Sequence, residues 1–534
     1  MRKYFATTTE IRGKSKQVNI DAAIEILNEA INADDPQELD KVREKVARLC
    51  PAGGPVVYCD TKGTEQVVDS DTHSITLAST GKGKTRRFIY PSVFSDILAG
   101  TNIVVNDMKG EIYQTAKPLL AAMGYQVYVL DLRDPAHTPN HYNPFTPAWQ
   151  QWKSGDRDRT FMTIRSLALC IFDPFKSDRD PFWSATAEDY FTGIALSMLE
   201  HGVDCESFTI ESVGIVDREG SRNAIPNMIN NPGLAPKDLE VSCIRFYDRQ
   251  LKEDSRAHRF LSGTLTATGG TATSILSIFR QPMSLYVGHQ GLMNALGFSD
   301  FNAESLTRPK TAVFVISPDE TRVFGPIVVA TLNQLMSELI TIAQSDHEGR
   351  LPHRVDFFLD EMGNLPSAIP DMDALVSAAR SRNLRFHFVL QSIEQLAHVY
   401  GQDMGQIIQD NCDTWIYMGT KSLNFLSELS TMCGTVQMES GTQRPLLPVD
   451  VLQHLETRRN ATETLVLLSN LRPYVTPLKD LGLYEQPRGM ELTTASSGST
   501  KGQKTYDFIG AVKRFVGAYE RQLSKGQQNA SIGA

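Results

Sequence analysis

Two spacings of apolar residues divide this chain. Short apolar runs that end in polar or acidic residues recur over residues 56–131 and 311–470, whereas helical spacing dominates residues 18–49 and 182–301. Continuous apolar runs are what strands covered on both faces look like, because neither face meets water. Residues 18–49 predict a helical hairpin in which Asp35, Pro36 and Glu38 supply an N-cap, a first-turn proline and a capping-box carboxylate. After residues 51–54 the pattern turns to β-rich runs: Val56, Val57 and Tyr58, then Val67 and Val68, then Ile75, Thr76 and Leu77. Residues 102–106 predict a strand, a helix follows, and residues 126–130 predict a second strand ending in Asp131; that spacing is a parallel βαβ unit. Strand runs return at 311–316, 355–359, 386–390 and 414–418, with a long helix from Gly325, so one sheet spans both sides of a mainly helical insertion. Residues 465–470 predict a late strand and 493–504 a Ser/Gly/Thr-rich linker. Residues 506–523 predict a basic amphipathic helix with Lys513, Arg514 and Arg521 on its polar face, a solvated or docking tail or else a DNA contact.

Composition narrows the class. A chain of 534 residues is expected to hold two or three domains, and a hydrophobic share of 41% with 22% charged residues fills sizeable cores and argues against general disorder. No window carries the eighteen or so apolar residues of a membrane span. The best candidate, residues 327–342, is interrupted by Asn333, Gln334 and Glu338 and reads as a buried helix, and the basic start lacks the apolar core of a signal peptide. The seven cysteines contain no C-x-x-C pair, which suits reduced thiols in a cytoplasmic setting better than zinc or disulfides. A formal net charge of −9 argues against a uniformly basic nucleic-acid binder but leaves room for a local basic channel.

The chemistry is concentrated in two places. Ala78, Ser79, Thr80, Gly81, Lys82, Gly83, Lys84 and Thr85 follow an apolar run and match a phosphate-binding loop, except that Ala78 stands where the first glycine usually does. Gly81 and Gly83 let backbone N–H groups aim at phosphate oxygens, Lys84 reaches the β/γ-phosphates, and the Thr85 hydroxyl holds Mg²⁺. Far downstream, an apolar run ends in Asp360 and Glu361: one carboxylate for a magnesium-bound triphosphate, one to activate water. The two parts are expected to converge on adjacent strand tips around one ATP. Asp107, Lys109 and Glu111 end another strand on the edge where open α/β sheets bind ligands, with a solvated charged turn as the alternative.

The segment DFFLDEMGNLPSAIPDMDALVSAARSRNLRFHFVLQSIEQLAHVYG, with ASTGKGKT, NDMKGEIY and DPFWSATAEDY before it and DNCDTWIYMG after it, resembles the type IV secretion coupling proteins of the TraG/TraD type. The resemblance runs from about Leu77 to Gly419. It implies an α/β, RecA-like P-loop NTPase with a central, mainly parallel sheet, an inserted all-α domain and a helical N-terminal segment. The expected division is a helical segment 1–51, a nucleotide-binding domain in two parts at 52–178 and 303–490, an inserted all-α domain at 179–302, and a linker with a C-terminal helix at 491–534.

By resemblance Lys84 and Thr85 occupy the phosphate and magnesium positions, Asp360 and Glu361 the Walker B pair, and Gln391 the γ-phosphate sensor. Arg380, or else Arg382, lies in the stretch from which a neighbouring subunit presents an arginine finger; either could instead pair with an acidic residue on its own helix. Most members carry N-terminal transmembrane helices, whereas residues 1–51 have a soluble character, so the expectation is either docking on a separate membrane-anchored partner or a soluble branch with changed duties. The implied activity is ATP hydrolysis with Mg²⁺ in a homo-hexamer. It would drive DNA, expected to be single-stranded, with its relaxase, or a secreted protein, into a type IV secretion channel, from the cytoplasm or the inner face of the cell membrane. The alternatives are a related RecA-like DNA-translocating or secretion-channel ATPase and a non-hydrolysing receptor for secreted proteins.

Overall fold

In chain order the strands are β1 (Lys16–Val18), β2 (Val56–Cys59), β3 (Glu65–Val67), β4 (Ser74–Ala78), β5 (Asn102–Asp107), β6 (Gln126–Asp131), β7 (Thr311–Ile316), β8 (Val355–Asp360), β9 (Leu384–Leu390), β10 (Thr414–Gly419), β11 (Thr435–Gln437), β12 (Gln443–Pro445), β13 (Ala461–Leu468) and β14 (Tyr474–Lys479). They come from a computed structural model that describes residues 4–33, 36–60, 64–176, 181–221, 242–318, 323–438, 441–488, 504–515, 517–518 and 521. Every residue of β4, β5, β7, β8, β9 and β10 is buried, which is why these segments read as unbroken apolar runs.

Nine strands form one sheet in the order β14-β13-β10-β4-β9-β8-β5-β7-β6. From β10 to β6 all neighbours are parallel, and β13 and β14 close one edge as an antiparallel hairpin. The sequence pattern missed β14 because Pro477 interrupts it and its residues alternate between buried and exposed, as on an edge strand. The glycine-turn strand β4 and the acidic strand β8 are not neighbours, contrary to expectation. After β8 the chain crosses through the helix Met372–Ala379 and returns as β9 between them, pairing with β4 on one side and β8 on the other.

The chain divides into two compact units, Met1–Arg133 with Phe301–Ser497, and Asp134–Asp300 with Gly498–Ala534. In the first unit the helices Ile20–Ala33 and Pro36–Leu49 pack on each other, and Pro36 opens the second; Asp35 lies outside the described residues. Residues 1–51 also carry β1, which joins β3 and β2 in a small antiparallel sheet. The helix Gly325–Asp346 is long and apolar enough to cross a membrane, yet most of it is buried inside this unit as a core helix.

The second unit is helical. Its centre is the buried helix Phe182–Glu200, on which Arg256–Thr266, Gly270–Gly288 and Arg157–Phe172 pack; Gly193 is needed because a Cβ there would meet the Leu261 backbone nitrogen at 2.9 Å. That packing draws residues 134–176 into the helical unit rather than the sheet unit to which they were assigned from sequence. The C-terminal tail docks on the same unit: Tyr506 and Tyr247 share a hydroxyl–hydroxyl hydrogen bond of 2.8 Å, and Phe508, Ala511 and Val512 are buried. Most of the predicted linker, residues 493–503, lies outside the described residues.

Candidate nucleotide site

At the end of β4 the backbone turns through Gly81 and Gly83 at φ of 84° and 80°, a region that costs L-residues strain and that glycine enters freely. Ala78 is an ordinary strand residue paired with Gly419 and is not among the residues with positive φ, so the glycine it replaces is dispensable here. The Ser79 N–H donates to the Gly419 carbonyl at 2.8 Å, and the Thr80 hydroxyl lies 3.4 Å from Gln391 Oε1. From Thr85 the chain winds as a wide π-type turn, Thr85–Ile89, into the helix Tyr90–Ala99, whose positive end faces the turn. Arg87, buried three residues after Lys84, braces the loop: its guanidinium donates to the carbonyls of Lys82 (3.2 Å) and Arg458 (2.8 Å).

Asp360 and Glu361 meet this loop although β9 separates their strands. Lys84 Nζ lies 2.8 Å from Glu361 Oε1 and 3.6 Å from Asp360 Oδ1. Glu361 also receives hydrogen bonds from Gln391 Nε2 at 3.3 Å on Oε1 and from Asn364 Nδ2 at 2.5 Å on Oε2. Its backbone sits at φ 51°, a strained conformation of the kind that collects at functional sites. Burial works to raise its pKa, but the hydrogen bond and charge of Lys84, with Gln391 and Asn364, hold the carboxylate below its ordinary value. Asp360 differs: burial, which Lys84 only partly offsets, pushes its pKa up to about 6, with Glu361 and Asp107 adding repulsion.

Two buried acceptor oxygens in this corner, Asp360 Oδ1 and Asn106 Oδ1, have no hydrogen-bond partner, while Asn106 Nδ2 holds the Asp360 carbonyl at 2.9 Å. A buried carboxylate oxygen with an ammonium 3.6 Å away but no hydrogen bond is a poor arrangement for a folded chain and a good one for a divalent cation. A carboxylate at Asp360 and a hydroxyl at Thr85 are oxygen donors of the kind that suits Mg²⁺, and Lys84 and the loop N–H groups would meet the charge of a triphosphate.

The remaining candidates make their contacts outside this cluster. Asp107 spends its carboxylate on the backbone N–H groups of Lys109 (3.3 Å), Gly110 (2.8 Å) and Tyr113 (2.9 Å), capping the helix Glu111–Met123; burial raises its pKa. The Lys109 carbonyl accepts from Arg133 Nη1 at 2.5 Å, and Glu111 is exposed in the first turn of that helix. Arg380 and Arg382 precede β9, at the opposite edge of the sheet from Gln391; a seven-residue strand puts about 20 Å between them. Arg380 Nη2 pairs with Asp413 at 2.9 Å and Nε donates to the Asp71 carbonyl at 3.1 Å, while Arg382 Nη1 donates to the Ala378 carbonyl at 2.7 Å. Asn106, Arg87, Asn364 and Gln395 went unnoticed in the sequence, although Asn364 follows Glu361 by three and Gln395 follows Gln391 by four, spacings that bring side chains together in helical turns.

A family model described as "Type IV secretory system Conjugative DNA transfer" matches residues 27–463. Protein VirD4 of Rhizobium radiobacter is 23% identical over 358 residues, covering 65% of this chain and 46% of that protein. VirD4 of Agrobacterium fabrum is 22% identical over 358 residues, 65% of this chain and 47% of that protein. The chain thus spans about half the length of the curated relatives it matches. Among solved structures, the bacterial conjugative coupling protein TrwBdeltaN70, unbound, superposes with a TM-score of 0.56 at 15% identity, covering 84% of this chain and 93% of that one. Plasmid coupling protein TrwB with the non-hydrolysable ATP analogue ADPNP gives 0.56 at 15% identity, with 78% and 87% covered. TrwB with ADP and Mg²⁺ gives 0.55 at 15%, with the same coverage. These likenesses establish the RecA-like P-loop fold.

Proposed function

The chain belongs to the type IV secretory system conjugative DNA transfer family, and from that premise we propose that it is an ATP-hydrolysing coupling protein. In this reading it recruits DNA, with its attached relaxase, or a secreted protein and drives it into a type IV secretion channel. The observation that carries the reading is the convergence of Lys84 on Asp360 and Glu361, its Nζ lying within 3.6 Å of a carboxylate oxygen of each although the segments are far apart in the chain. The TrwB complexes with an ATP analogue and with ADP and Mg²⁺ support the same ligands at this site.

Lys84 and the loop N–H groups bind and orient the β/γ-phosphates. Thr85 and Asp360 hold Mg²⁺, which when bound neutralises charge that builds on the phosphate oxygens. Glu361 takes a proton from the attacking water, and Gln391, at the tip of the strand between the two motifs, senses the γ-phosphate through Thr80 and Glu361. Arg380 is the candidate finger from a neighbouring copy in a hexameric ring. Its side chain is 42% exposed, and its pairing with Asp413 is of the surface kind that is easily exchanged. Work at the cytoplasmic face of the membrane, alongside channel components, completes the proposal.

DNA-stimulated ATP turnover tests it. Wild-type protein should hydrolyse ATP faster with DNA, with stimulation falling as salt rises, and Lys84→Ala and Glu361→Gln should abolish turnover without loss of fold. Wild-type protein that binds ATP but never turns it over, with or without DNA, would overturn the reading in favour of a nucleotide-dependent receptor.

A further inference from the structure

The lysine assigned to phosphate is paired within its own chain. Lys84 Nζ sits 2.8 Å from Glu361 Oε1, so a γ-phosphate must displace the very carboxylate that is to activate water. A carboxylate released from its cation is pulled two ways: it can follow the ammonium group and compete with the phosphate, or stay where the water will be. Whatever holds Glu361 on its other side decides between these.

That other side is a built arrangement. Asn364 Nδ2 donates to Glu361 Oε2 at 2.5 Å, and the Asn364 N–H donates to the Glu361 carbonyl at 2.7 Å, closing a tight turn, Met362–Asn364, directly after the acidic pair. Behind Asn364 stands Gln395 in the first turn of the helix Glu394–Tyr400. Its Oε1 accepts from the Gln391 and Ser392 N–H groups at 2.9 and 3.3 Å, and its Nε2 reaches Asn364 Oδ1 at 3.5 Å. Gly363 permits the approach, because a Cβ at that position would stand 2.5 Å from Gln395 Cβ. One side chain thus ties the sensor strand's end, through Gln391, to the turn that carries Glu361.

We propose that Asn364, backed by Gln395 across Gly363, is a positioning residue that retains Glu361 on the water side when Lys84 transfers to the nucleotide. The inference rests on the ATP-binding reading above. Asn364 donates to Oε2 while Lys84 and Gln391 use Oε1, so its bond survives the departure of the lysine. Gln395 fixes the amide orientation by presenting a donor to Asn364 Oδ1, leaving Nδ2 for the carboxylate.

The test compares affinities of the full chain for a non-hydrolysable ATP analogue and for ADP, both with Mg²⁺, by fluorescence titration. In Asn364→Ala the unrestrained Glu361 competes for Lys84, so the analogue Kd should rise about 3–10-fold, as expected for loss of one charge-assisted hydrogen bond, and the ADP Kd by a smaller factor because ADP offers Lys84 only its β-phosphate. In Asn364→Ala/Glu361→Gln the analogue Kd should return to that of Glu361→Gln alone. Gln395→Glu, which keeps the acceptor for the two N–H groups but loses the donor to Asn364, should shift the analogue Kd in the same direction by a smaller factor. A merely structural role would raise both Kd values by the same factor, and an unchanged analogue-to-ADP ratio in Asn364→Ala would overturn the proposal. If wild-type protein binds both nucleotides but does not turn over ATP, the hydrolytic function fails while these ratios still decide the role of Asn364.

Discussion

Arg385 and Asp356 form an ion pair closed off from water: Arg385 Nε donates to Asp356 Oδ1 at 2.8 Å, and the two side chains are 1% and 0% exposed. The remaining donors of Arg385 reach the carbonyls of Val68 (2.8 Å) and Gly53 (3.1 Å), and His387 Nε2 lies 3.3 Å from Asp356 Oδ2. Asp356 is thereby held well below the usual carboxylate range although burial works against it. Asp96, on the helix that follows the glycine turn, is 3.7 Å from Arg385 and is pushed upward by burial. This group ties the starts of β8 and β9 to the segment that leads into β4.

Removing one partner of such a pair strands the other in a medium that cannot solvate it. Arg385→Met should therefore lower stability by about 3–5 kcal/mol, visible as an earlier urea midpoint, whereas Arg385→Met combined with Asp356→Leu should recover a large part of the loss. A single-variant cost below about 1 kcal/mol would show that the pair is not structural.

The glycine turn makes a graded prediction. A Cβ at Gly83 would meet the Arg87 guanidinium at 3.0 Å and would also suffer the positive φ, whereas a Cβ at Gly81 meets nothing within 4 Å and suffers only the backbone strain. Gly81→Ala should cost about 1–2 kcal/mol of stability, Gly83→Ala more, with Gly83→Ala losing nucleotide affinity and Ala78→Gly remaining near neutral. Thermal melts and nucleotide titrations of the three variants check the order.

What could be read beforehand and what could not follow from this geometry. The strands were legible because β4, β5, β7, β8, β9 and β10 are buried on both faces and so lack polar interruptions, and the loop motif singled out Lys84, which the structure brings to Asp360 and Glu361. Strand order was not legible: nothing in the runs says that β9 inserts between β4 and β8. Nor was the role of Asp107, since a carboxylate after a strand reads the same whether it faces a ligand or caps the next helix. Asn364 and Gln395 escaped because neutral amides carry no charge pattern, and their meeting depends on Gly363, a close approach visible only in three dimensions.

Asp107 offers a direct check of that distinction. As a cap accepting three backbone N–H groups, it should cost about 1–2 kcal/mol of stability when changed to Ala. Nucleotide affinity with Mg²⁺ should stay within about 2-fold of wild type, because losing a cap leaves the phosphate and cation donors in place. A loss of Mg²⁺-dependent binding with unchanged stability would make Asp107 a ligand instead.

Arg380 is placed so that its own chain's site cannot feel it. Arg380→Ala should leave nucleotide affinity of the isolated chain unchanged and stability within about 1 kcal/mol, as for a part-exposed ion pair. Acting as a finger in an assembled ring, the same change should reduce DNA-stimulated turnover by about 10³-fold or more. Comparing turnover of assembled Arg380→Ala and Arg382→Ala particles separates the two arginines, and wild-type rates in both would remove this stretch from the active site.

Asp360 ties stability to pH with a definite sign. Its folded pKa is about 6, because burial outweighs the attraction of Lys84, whereas an unfolded aspartate titrates near about 3.9. Below about pH 4 the group is protonated in both states and contributes nothing; above about pH 6 the folded chain alone must hold a desolvated charge. Stability therefore falls as pH rises through that window, by a total on the order of 2–3 kcal/mol. Asp360→Asn should abolish this term: the nucleotide-free variant should melt higher than wild type at pH 8, with the gap closing toward pH 4. Binding of nucleotide with Mg²⁺ should weaken in the same variant, since the cation that would satisfy Asp360 Oδ1 loses its anchor. A variant that melts no higher than wild type at pH 8 would show that the carboxylate is better solvated than its burial implies, and would weaken the magnesium assignment, which rests on the buried Asp360 Oδ1 lacking a hydrogen bond.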